Sequence, residues 1–338
     1  MTNIDQSKLK SVQFLLENNF SEAIPALDKV IEMDSEDSVS WHNRGACKYN
    51  LNQFEEAIKD FDKAIELNPG SESRCYRGRS KYFLKKYKEA IKDFDKVIEL
   101  NYASESRIYR DNSKYFQPII KDLEELLIEL NPKNYVSLHF RGSSKFYLDQ
   151  FEEAIKDFDR AISINPEDYN GWHFRGISKF YLKHFEEAIK DFDKAISMNP
   201  EDYNSWHCRG LSKYNLKQFE EAISDFDMAI AINSKDYDSW HYRGISKYYS
   251  QKYKEAIPDF DKAIALNPED FRSWLCRGAC NFYLDQSEEA IPDFDKAIEL
   301  NPNHVNCLSL RASAKRKLGD NIGADEDDKK ADKLKKIV

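Results

Sequence analysis

The sequence has 338 residues, 33% of them charged and 41% hydrophobic, and carries a formal net charge of −9 at pH 7. This acidic balance disfavours a protein that binds the phosphate backbone of nucleic acids, because such binding depends on Lys and Arg. The 19 Tyr and 21 Phe argue against a disordered chain, since disordered sequences are poor in aromatic residues.

The N-terminus, MTNIDQSKLK, lacks the apolar core of a secretory signal. No run approaches the ~18 apolar residues that a membrane-spanning helix needs. The six cysteines form no CxxC pair, and the spacing of Cys276 and Cys280 on one predicted helix does not suit an unstrained disulfide. Together these features predict a protein of the reducing cytoplasm that does not associate with membranes.

A unit of 34 residues recurs through most of the chain, and such a repeat decides the fold class. In the regular unit 169–202, apolar residues follow helical spacing in two runs. Gly176 is small where the two helices must approach each other closely. Asn199-Pro200 ends the second run, because a residue that precedes proline disfavours the helical region. Each unit is therefore predicted to form a helix A, a short turn and a helix B.

Taken in chain order, the units divide the sequence into four segments. Residues 1–103 hold three repeats, the first of them degenerate. Residues 104–134 are predicted to be a degenerate repeat and a possible joint, because Asp111 replaces the glycine and the turn is shortened near Gln117-Pro118. Residues 135–304 hold five regular repeats. Residues 305–338 are predicted to be a degenerate repeat with a polar capping helix, in which Asp328 stands where a core phenylalanine belongs.

The unit resembles the tetratricopeptide repeat, whose pattern is W-x2-L-G-x2-Y, then A-x3-F, then P. Five residues of the unit 169–202 match this pattern: Trp172, Gly176, Ala188, Phe192 and Pro200. Arg175 and Lys179 depart from it, which defines an RG-x-x-K-[YF] subtype. The resemblance implies an all-α, right-handed superhelical solenoid of about ten antiparallel helix pairs. It also implies a concave surface, lined by the A helices, on which partners bind.

An arginine precedes the glycine in each regular repeat, and an aspartate precedes the core phenylalanine of helix B. The first unit has Lys10 and Ala26 at these places, so the two residues are lost together. A half-buried charge needs a partner. We therefore predict that the two residues form ion pairs between helices, and leave open whether the aspartate belongs to the same or a neighbouring unit. The predicted pairs include Arg175 with Asp191, Arg209 with Asp225, and Arg243 with Asp259.

A stripe of histidines, aromatic residues and amides recurs on one side of the A helices, where i, i+4 and i+7 positions align. Exposed aromatic residues of this kind are typical of binding surfaces. The predicted peptide-binding residues of the concave face are His42, Tyr49, Tyr82, His139, Phe146, Tyr147, Asn170, His173, Phe180, Tyr181, Asn204, His207, Tyr214, Asn215, Asp238, His241, Tyr248, Tyr249, Phe282 and Tyr283.

The histidine row does not predict a metal site, since no second Cys or His follows at i+3 or i+4 on the same helix. A groove that changes affinity as its histidines gain protons is the alternative. No phosphate-binding loop and no HExxH or GxSxG motif is present, so the sequence predicts neither a cofactor nor an enzyme.

The function predicted is a protein–protein interaction scaffold that binds a peptide or helix of a partner protein in the concave groove, as a monomer or with weak self-association. Two alternatives stay open. Aromatic residues of helical repeats can stack the bases of single-stranded RNA, although the acidic charge makes nucleic acid an unfavoured partner. The ends of a solenoid can also stack into a self-assembling array.

Overall fold

The structure, a computed structural model, describes residues 3–112 and 134–335, without the side chains of 102–112. Within these ranges the chain is helical and contains no strand, which confirms the all-α prediction. The helices are α1 (Asn3–Leu16), α2 (Phe20–Met33), α3 (Ser38–Asn50), α4 (Phe54–Leu67), α5 (Ser71–Phe83), α6 (Tyr87–Asn112), α7 (Tyr135–Phe146), α8 (Phe151–Ile164), α9 (Tyr169–Tyr181), α10 (Phe185–Met198), α11 (Tyr203–Asn215), α12 (Phe219–Ile232), α13 (Tyr237–Tyr249), α14 (Tyr253–Leu266), α15 (Phe271–Tyr283), α16 (Ser287–Leu300), α17 (Val305–Lys317) and α18 (Asn321–Lys335).

The chain divides into two compact units, Met1–Leu182 and Lys183–Val338. The first contains the pairs α1–α2, α3–α4, α5–α6 and α7–α8, followed by α9. The second begins with α10 and contains the pairs α11–α12, α13–α14, α15–α16 and α17–α18. We call the odd-numbered helices A helices and the even-numbered ones B helices. Inside each unit an A helix packs against its own B helix, the preceding B helix and the neighbouring A helices.

The close approach of the two helices in a pair is made by a glycine against a phenylalanine. Gly244 faces Phe260 so closely that a Cβ atom there would lie 2.8 Å from Cε1 of the ring. Phe260 has no exposed surface. The same contact joins Gly45 to Phe61, Gly78 to Phe94, Gly142 to Phe158, Gly210 to Phe226 and Gly278 to Phe294. Each pair therefore encloses its own section of core, as a repeat protein requires.

The tight turn between A and B helices depends on one residue in the left-handed region. Gln251, for example, has φ of 61°, and Lys217 has φ of 60°. In the last pair the same place is held by Gly319, which adopts this conformation without steric cost. Four of the A helices begin after an aspartate whose carboxylate accepts a backbone N–H, as when Asp236 accepts from Ser239 at 3.0 Å.

Helix α6 does not end where the sequence predicts a repeat boundary, after residue 103. It continues through Asn112 as one helix of 26 residues, and Tyr102 stands at the place where a proline follows five of the other B helices. Helix α7 then packs directly on α5 and α6. The shortened turn predicted near Gln117-Pro118 lies outside the described residues.

The contacts of Arg141 show how much chain separates these adjoining pairs. Its Nη1 lies 2.7 Å from Asp95, which is 46 residues away, whereas the equivalent contact of Arg209 with Asp193 spans 16 residues. The repeat beginning at residue 135 therefore stacks on the repeat 71–103, with 30 additional residues in the connection. The division between the two compact units falls after Leu182. The joint predicted for 104–134 lies largely outside the described residues and stays a prediction.

The last pair replaces its core phenylalanine with a surface ion pair. Asp328 stands at that position, is partly exposed, and lies 2.7 Å from Nη2 of Arg316. Ala324 and Ala331 supply the buried surface of α18 instead. The glycine of this repeat is also replaced, by Ala312. The first pair shows the same joint change, with Ser11 and Leu27 at the two places.

Candidate functional site

The predicted binding residues lie on the side of the A helices that carries Asn170, His173, Phe180, Tyr181 and their equivalents, which we call the A-helix face. They differ widely in exposure. The histidines are largely buried, the aromatic residues next to the ends of the A helices are half-buried, and the aromatic residues at the ends are exposed. The exposed predicted residues are Tyr147, Tyr181, Asn204, Asn215, Asp238, Tyr249 and Tyr283.

The histidines join neighbouring A helices. His241 Nδ1 lies 2.8 Å from the Ser273 hydroxyl of the next A helix, and only 1% of the residue is exposed. His207 makes the same contact with Ser239 at 2.8 Å, and His42 with Ser73 at 2.9 Å. In the unbound protein these imidazoles are therefore largely buried and already contact the neighbouring A helix. In the unbound protein His241 is thus enclosed, as His42 and His207 mostly are, and their contact with a peptide stays a prediction.

His139 makes this contact with a different partner. The next A helix has Gly171 where six other A helices have serine, so no hydroxyl is available. The carboxylate of Asp168 occupies the space instead, with Oδ2 2.9 Å from His139 Nδ1. A Cβ atom on Gly171 would lie 2.8 Å from that oxygen. The glycine thus makes room for an ionic partner in place of a neutral one.

Burial lowers the pKa of these histidines. Desolvation brings the pKa of His241 to about 3, with the positive charge of Arg272 acting in the same direction. Desolvation also lowers the pKa of His207 and His42, against the opposing pull of nearby Asp236 and Glu72 respectively. His241 therefore stays neutral in the folded protein through the pH range in which a free histidine titrates, and His42 and His207 take up a proton less readily than a free histidine does.

The residue next to the end of each A helix is an aromatic ring enclosed by other rings. Phe146 is typical, with ring centroids of Phe151, Phe174 and Tyr181 at 5.7, 5.6 and 6.0 Å. Tyr49 is only 8% exposed in the unbound protein, and its contact with a partner stays a prediction. The equivalent rings are half-buried: Tyr82, Phe146, Phe180, Tyr214, Tyr248 and Phe282.

At the C-terminal end of five A helices, α5, α7, α9, α13 and α15, an exposed aromatic ring stacks on the preceding B helix. Tyr181 is 57% exposed, yet its ring lies parallel to that of Phe151 at 4.9 Å between centroids, with 7° between the planes. Tyr147 stacks on Tyr87 at 4.9 Å in the same way. The other members of this row are Phe83 on Phe54, Tyr249 on Phe219 and Tyr283 on Tyr253. One face of each ring is fixed by stacking and the other surface is open.

The polar residues of the A-helix face complete the predicted set. Asn204 and Asp238 are exposed in the first turn of their A helices, and Asn170 is partly buried. Asn215 replaces the exposed aromatic ring at the end of α11, and its side chain donates to the Leu211 carbonyl at 2.8 Å. His173 and Phe180 are partly buried in α9. The amides and the carboxylate are thus accessible to a partner, but they do not form one cluster.

The arginine before each glycine binds two aspartates. Arg243 donates from Nε and Nη2 to Asp259 of its own B helix, at 3.0 and 2.5 Å. Its Nη1 donates to Asp227 of the preceding B helix at 2.6 Å. The double contact recurs at Arg44, Arg77, Arg141, Arg209, Arg277 and Arg311. Arg175 contacts Asp159 at 2.5 Å within the first unit, and Asp191 is buried in the second.

Sequence reasoning missed both the second aspartate and a lysine that joins the network. Lys247 Nζ lies 2.7 Å from Asp259, one turn beyond the arginine. In the repeat 271–304 Asn281 replaces this lysine. There burial raises the pKa of Asp293, although Arg277 opposes it. Both aspartates recur at the same period as the arginines. The spacing alone could therefore have predicted the second aspartate that each arginine contacts.

Family models agree with this helix-pair geometry. Models of the tetratricopeptide repeat match residues 38–71, 72–104, 169–202, 237–270 and 271–304, which together make up half of the chain. The chain is a tetratricopeptide-repeat protein. As a tetratricopeptide-repeat protein it belongs to a family of protein-interaction scaffolds. A model of the protein prenyltransferase alpha subunit repeat also matches residues 151–177 and 219–245.

Individual proteins resemble this tetratricopeptide-repeat chain only distantly or over short segments. FK506-binding protein 59 of Drosophila melanogaster is 32% identical over 56 residues, which span 17% of this chain and 13% of that protein. YrrB, described as a TPR protein with an unusual peptide-binding site, is 20% identical, covers 57% of this chain and 96% of its own, and has a TM-score of 0.49. MamA from Desulfovibrio magneticus RS-1 is 20% identical, with coverages of 51% and 96% and a TM-score of 0.47.

Neither a metal site nor a membrane-spanning helix is found in the described residues. No group of three or more His, Cys, Asp and Glu side chains in residues 3–112 and 134–335 is placed to hold a metal ion. In the same part of the chain, no helix has the length and apolar character needed to cross a membrane.

Proposed function

We propose that the A-helix faces of this protein bind an extended peptide or a helix of a partner protein, and that the exposed aromatic row supplies the anchoring contacts. The observation that carries the proposal is the state of these rings. Tyr147, Tyr181, Tyr249 and Tyr283 are 47–57% exposed, and each stacks on a ring of the preceding B helix. Large aromatic residues dominate the energetics of protein interfaces.

Stacking adds a second advantage for binding. A side chain that becomes ordered on binding loses about 0.5–1.5 kcal/mol of conformational freedom. Rings that are already held against Phe151, Tyr87, Phe219 or Tyr253 have lost much of this freedom in the unbound protein. A partner that covers them therefore gains the apolar contact at a smaller entropic cost. The histidines and the half-buried aromatic rings next to the ends of the A helices act differently, because they hold neighbouring A helices together.

The test is a selection of random displayed peptides on the full chain, repeated on a variant with the exposed rings removed. The chain itself suggests the substitution, because Asn50 and Asn215 already stand at this position in two repeats. We expect Tyr147→Asn/Tyr181→Asn and Tyr249→Asn/Tyr283→Asn to fold and to lose the enriched peptides. The matched control is Met228→Asn/Leu266→Asn, which removes exposed apolar residues from B helices and is expected to keep them.

Two results of this selection would refute the proposal. One is enrichment of the same peptides on the ring variants and on the wild type, because the rings would then not be the anchors. The other is binding of random single-stranded RNA that depends on the rings and falls steeply with salt, which would favour the nucleic-acid alternative.

A further inference from the structure

Five A helices begin with an aromatic residue at the same place of the repeat: Tyr135, Tyr169, Tyr203, Tyr237 and Phe271. The ring of Tyr237 lies against the imidazole of His241, with 5.7 Å between centroids and 21° between the planes. Its hydroxyl oxygen reaches the next A helix, where it lies 3.4 Å from Ser273 Oγ and 3.5 Å from Arg272 Nη2. The ring thus lies between the N-terminal ends of two successive A helices and covers the face of the histidine.

Helix α3 lacks this ring, because it begins with Ser38 at the place of Tyr237. The neighbouring contact is kept, since His42 Nδ1 lies 2.9 Å from Ser73 Oγ of the next A helix. A cavity of about 440 Å³ opens beside that contact, and Ser38, His42 and Ser73 are among the residues that line it. His42 is partly exposed, whereas His241 is buried. This space, which we call the α3–α5 cavity, is therefore the place that an aromatic ring fills in the repeat 237–270.

Two further departures from the repeat shape the rim of the α3–α5 cavity. Gly70 precedes α5, at the place where Asp236 precedes α13. No close approach requires this glycine, since the nearest atom to a Cβ there would be the Asn68 carbonyl oxygen, at 4.0 Å. Val39 is 62% exposed on the rim, at the place where Asn204 stands in another repeat. The missing side chain leaves the cavity open, and the valine gives it an apolar edge.

A carboxylate stands where the hydroxyl of the missing ring would end. Glu72 is at the place of Arg272, whose Nη2 lies near the hydroxyl of Tyr237. The Glu72 side chain is exposed, lines the α3–α5 cavity, and has Oε1 3.7 Å from His42 Nε2. A carboxylate accepts a hydrogen bond from a phenolic O–H and repels a phosphate or another carboxylate. The cavity thus combines an imidazole face, an apolar edge and an acceptor, which fits a ring that carries a hydroxyl group.

We propose that the α3–α5 cavity binds a tyrosine side chain of the partner peptide. The inference rests on the proposed peptide-binding function and adds the chemistry of one contact to it. The tyrosine ring packs against the imidazole of His42, and its hydroxyl donates to the Glu72 carboxylate. The partner supplies the ring that Tyr237 supplies within its own repeat. The negative charge of Glu72 disfavours a phosphotyrosine at the same place, because like charges repel.

The first test is a selection of random displayed peptides on the full-length protein, followed by affinity measurements with fluorescence polarisation. We expect peptides that bind the first unit to share a tyrosine at one fixed position. Ser38→Tyr copies Tyr237 and fills the cavity with the ring of the chain itself, so it should weaken these peptides at least tenfold. The matched control is Phe271→Tyr, which places the same residue where a ring is already present. It should leave affinity unchanged.

The second test concerns the hydroxyl group. Replacing the tyrosine of the peptide by phenylalanine should weaken binding to the wild type about three- to tenfold, because a hydrogen bond is lost. On Glu72→Ala the tyrosine and phenylalanine peptides should bind equally, since both changes remove the same contact. Phosphorylation of the peptide tyrosine should weaken binding to the wild type and do so less on Glu72→Ala. Glu72 is exposed, so this variant is expected to fold, and thermal unfolding verifies it for each protein.

A small probe separates the cavity from the function on which the inference rests. p-Cresol reproduces the tyrosine side chain, and saturation-transfer NMR should show that it binds the wild type but not Ser38→Tyr. Peptides that need Tyr147 and Tyr181 but share no tyrosine, or equal affinity of Ser38→Tyr and the wild type for the peptides, would overturn the role of the cavity and leave peptide binding standing. A selection that enriches no peptide, with p-cresol still bound, would overturn peptide binding and keep a site for phenols. Failure of both would overturn both.

Discussion

At the scale of single residues, the histidine row shows how a repeated side chain can be structural while resembling a binding site. His241 lies between α13 and α15, bonded to Ser273 and packed near Tyr237 and Phe260. The serine recurs at the third position of A helices just as the histidine recurs at the fifth. That joint recurrence was visible in the sequence. The sequence could not supply the distance between the A helices of successive repeats. That distance is what allows the histidine and the serine to bond.

Burial of His241 predicts a specific loss of stability in acid. The unfolded chain takes up a proton near pH 6.5, whereas the folded protein keeps this imidazole neutral down to a pKa of about 3. The unfolded state therefore binds more protons, and the free energy of unfolding falls by about 1.4 kcal/mol for each pH unit below 6.5 on account of this residue. His241→Leu, which copies Leu275 of the next repeat, should remove that part of the slope. Urea unfolding of both proteins at pH 7 and pH 5 measures the difference.

An unchanged pH slope in the variant would show that His241 is accessible to water and free to titrate. The control is Ser309→Leu, at the same position in the last repeat, where no histidine is present and the slope should not change.

At the scale of the helix pair, the contact between glycine and phenylalanine sets the spacing of the two helices. The sequence predicted that the glycine lies where the two helices approach closely, but it did not predict that the phenylalanine of helix B is its contact. The sequence does show that the two residues change together, since the first and last repeats lack both. In those repeats Ser11 is matched with Leu27, and Ala312 with Asp328. The Cβ positions supply the reason, because no β-carbon fits against a full phenylalanine ring.

Gly244→Ala should destabilise the protein although alanine favours helix formation. The helix gains about 1 kcal/mol, but a Cβ atom 2.8 Å from Phe260 overpacks a closed core, at a cost of about 1–3 kcal/mol. We expect a net loss of up to about 2 kcal/mol in the free energy of unfolding. Adding Phe260→Leu should recover part of the loss, because the smaller side chain gives the methyl group space.

The double variant makes the test sharp, since Phe260→Leu alone also destabilises by leaving a cavity. Losses that simply add would show that the two residues do not meet. Gly70→Ala is the matched control, because the nearest atom to its Cβ lies 4.0 Å away. Its effect should be close to zero.

At the scale of the whole molecule, the 34-residue period of the sequence predicts most of the architecture. One pair of neighbouring glycines departs from this period. Gly78 and Gly142 are 64 residues apart, which is one period of 34 and a further 30. The sequence predicts that the segment 104–134 between them forms a degenerate repeat, since it contains helix-like stretches. Residues 113–133 lie outside the described residues, so the degenerate repeat stays a prediction, but contacts across α6 and α7 show how the repeats on either side of it pack. Asn101 donates to Asn134 at 3.0 Å, and the flanking repeats are packed as neighbours.

Removing the additional 30 residues should therefore preserve the fold. Deletion of residues 102–131 leaves Asn101 followed by Pro132, Lys133 and Asn134, which reproduces the Asn-Pro-x-Asp connection of regular repeats such as Asn199–Asp202. The shortened connection lowers the entropy of loop closure, by about 0.6 kcal/mol for each halving of length. We expect a helical protein whose thermal midpoint is equal to or higher than that of the wild type, measured by circular dichroism.

A deletion of the same length that begins at Tyr87 removes all of α6 and should unfold the first unit. Equal loss of structure in the two deletions would contradict the direct packing of α7 on α6.

The binding isotherm of one selected peptide tests the central claim about this protein most directly. Fluorescence polarisation compares the wild type with Tyr249→Asn/Tyr283→Asn and with Met228→Asn/Leu266→Asn, all verified as folded by their thermal midpoints. For a peptide that depends on the second unit, loss of the exposed rings should weaken binding at least tenfold, since aromatic anchors commonly contribute about 2 kcal/mol or more each. The B-helix control should bind as the wild type does. Equal affinity for all three proteins would show that the exposed aromatic row does not bind the peptide.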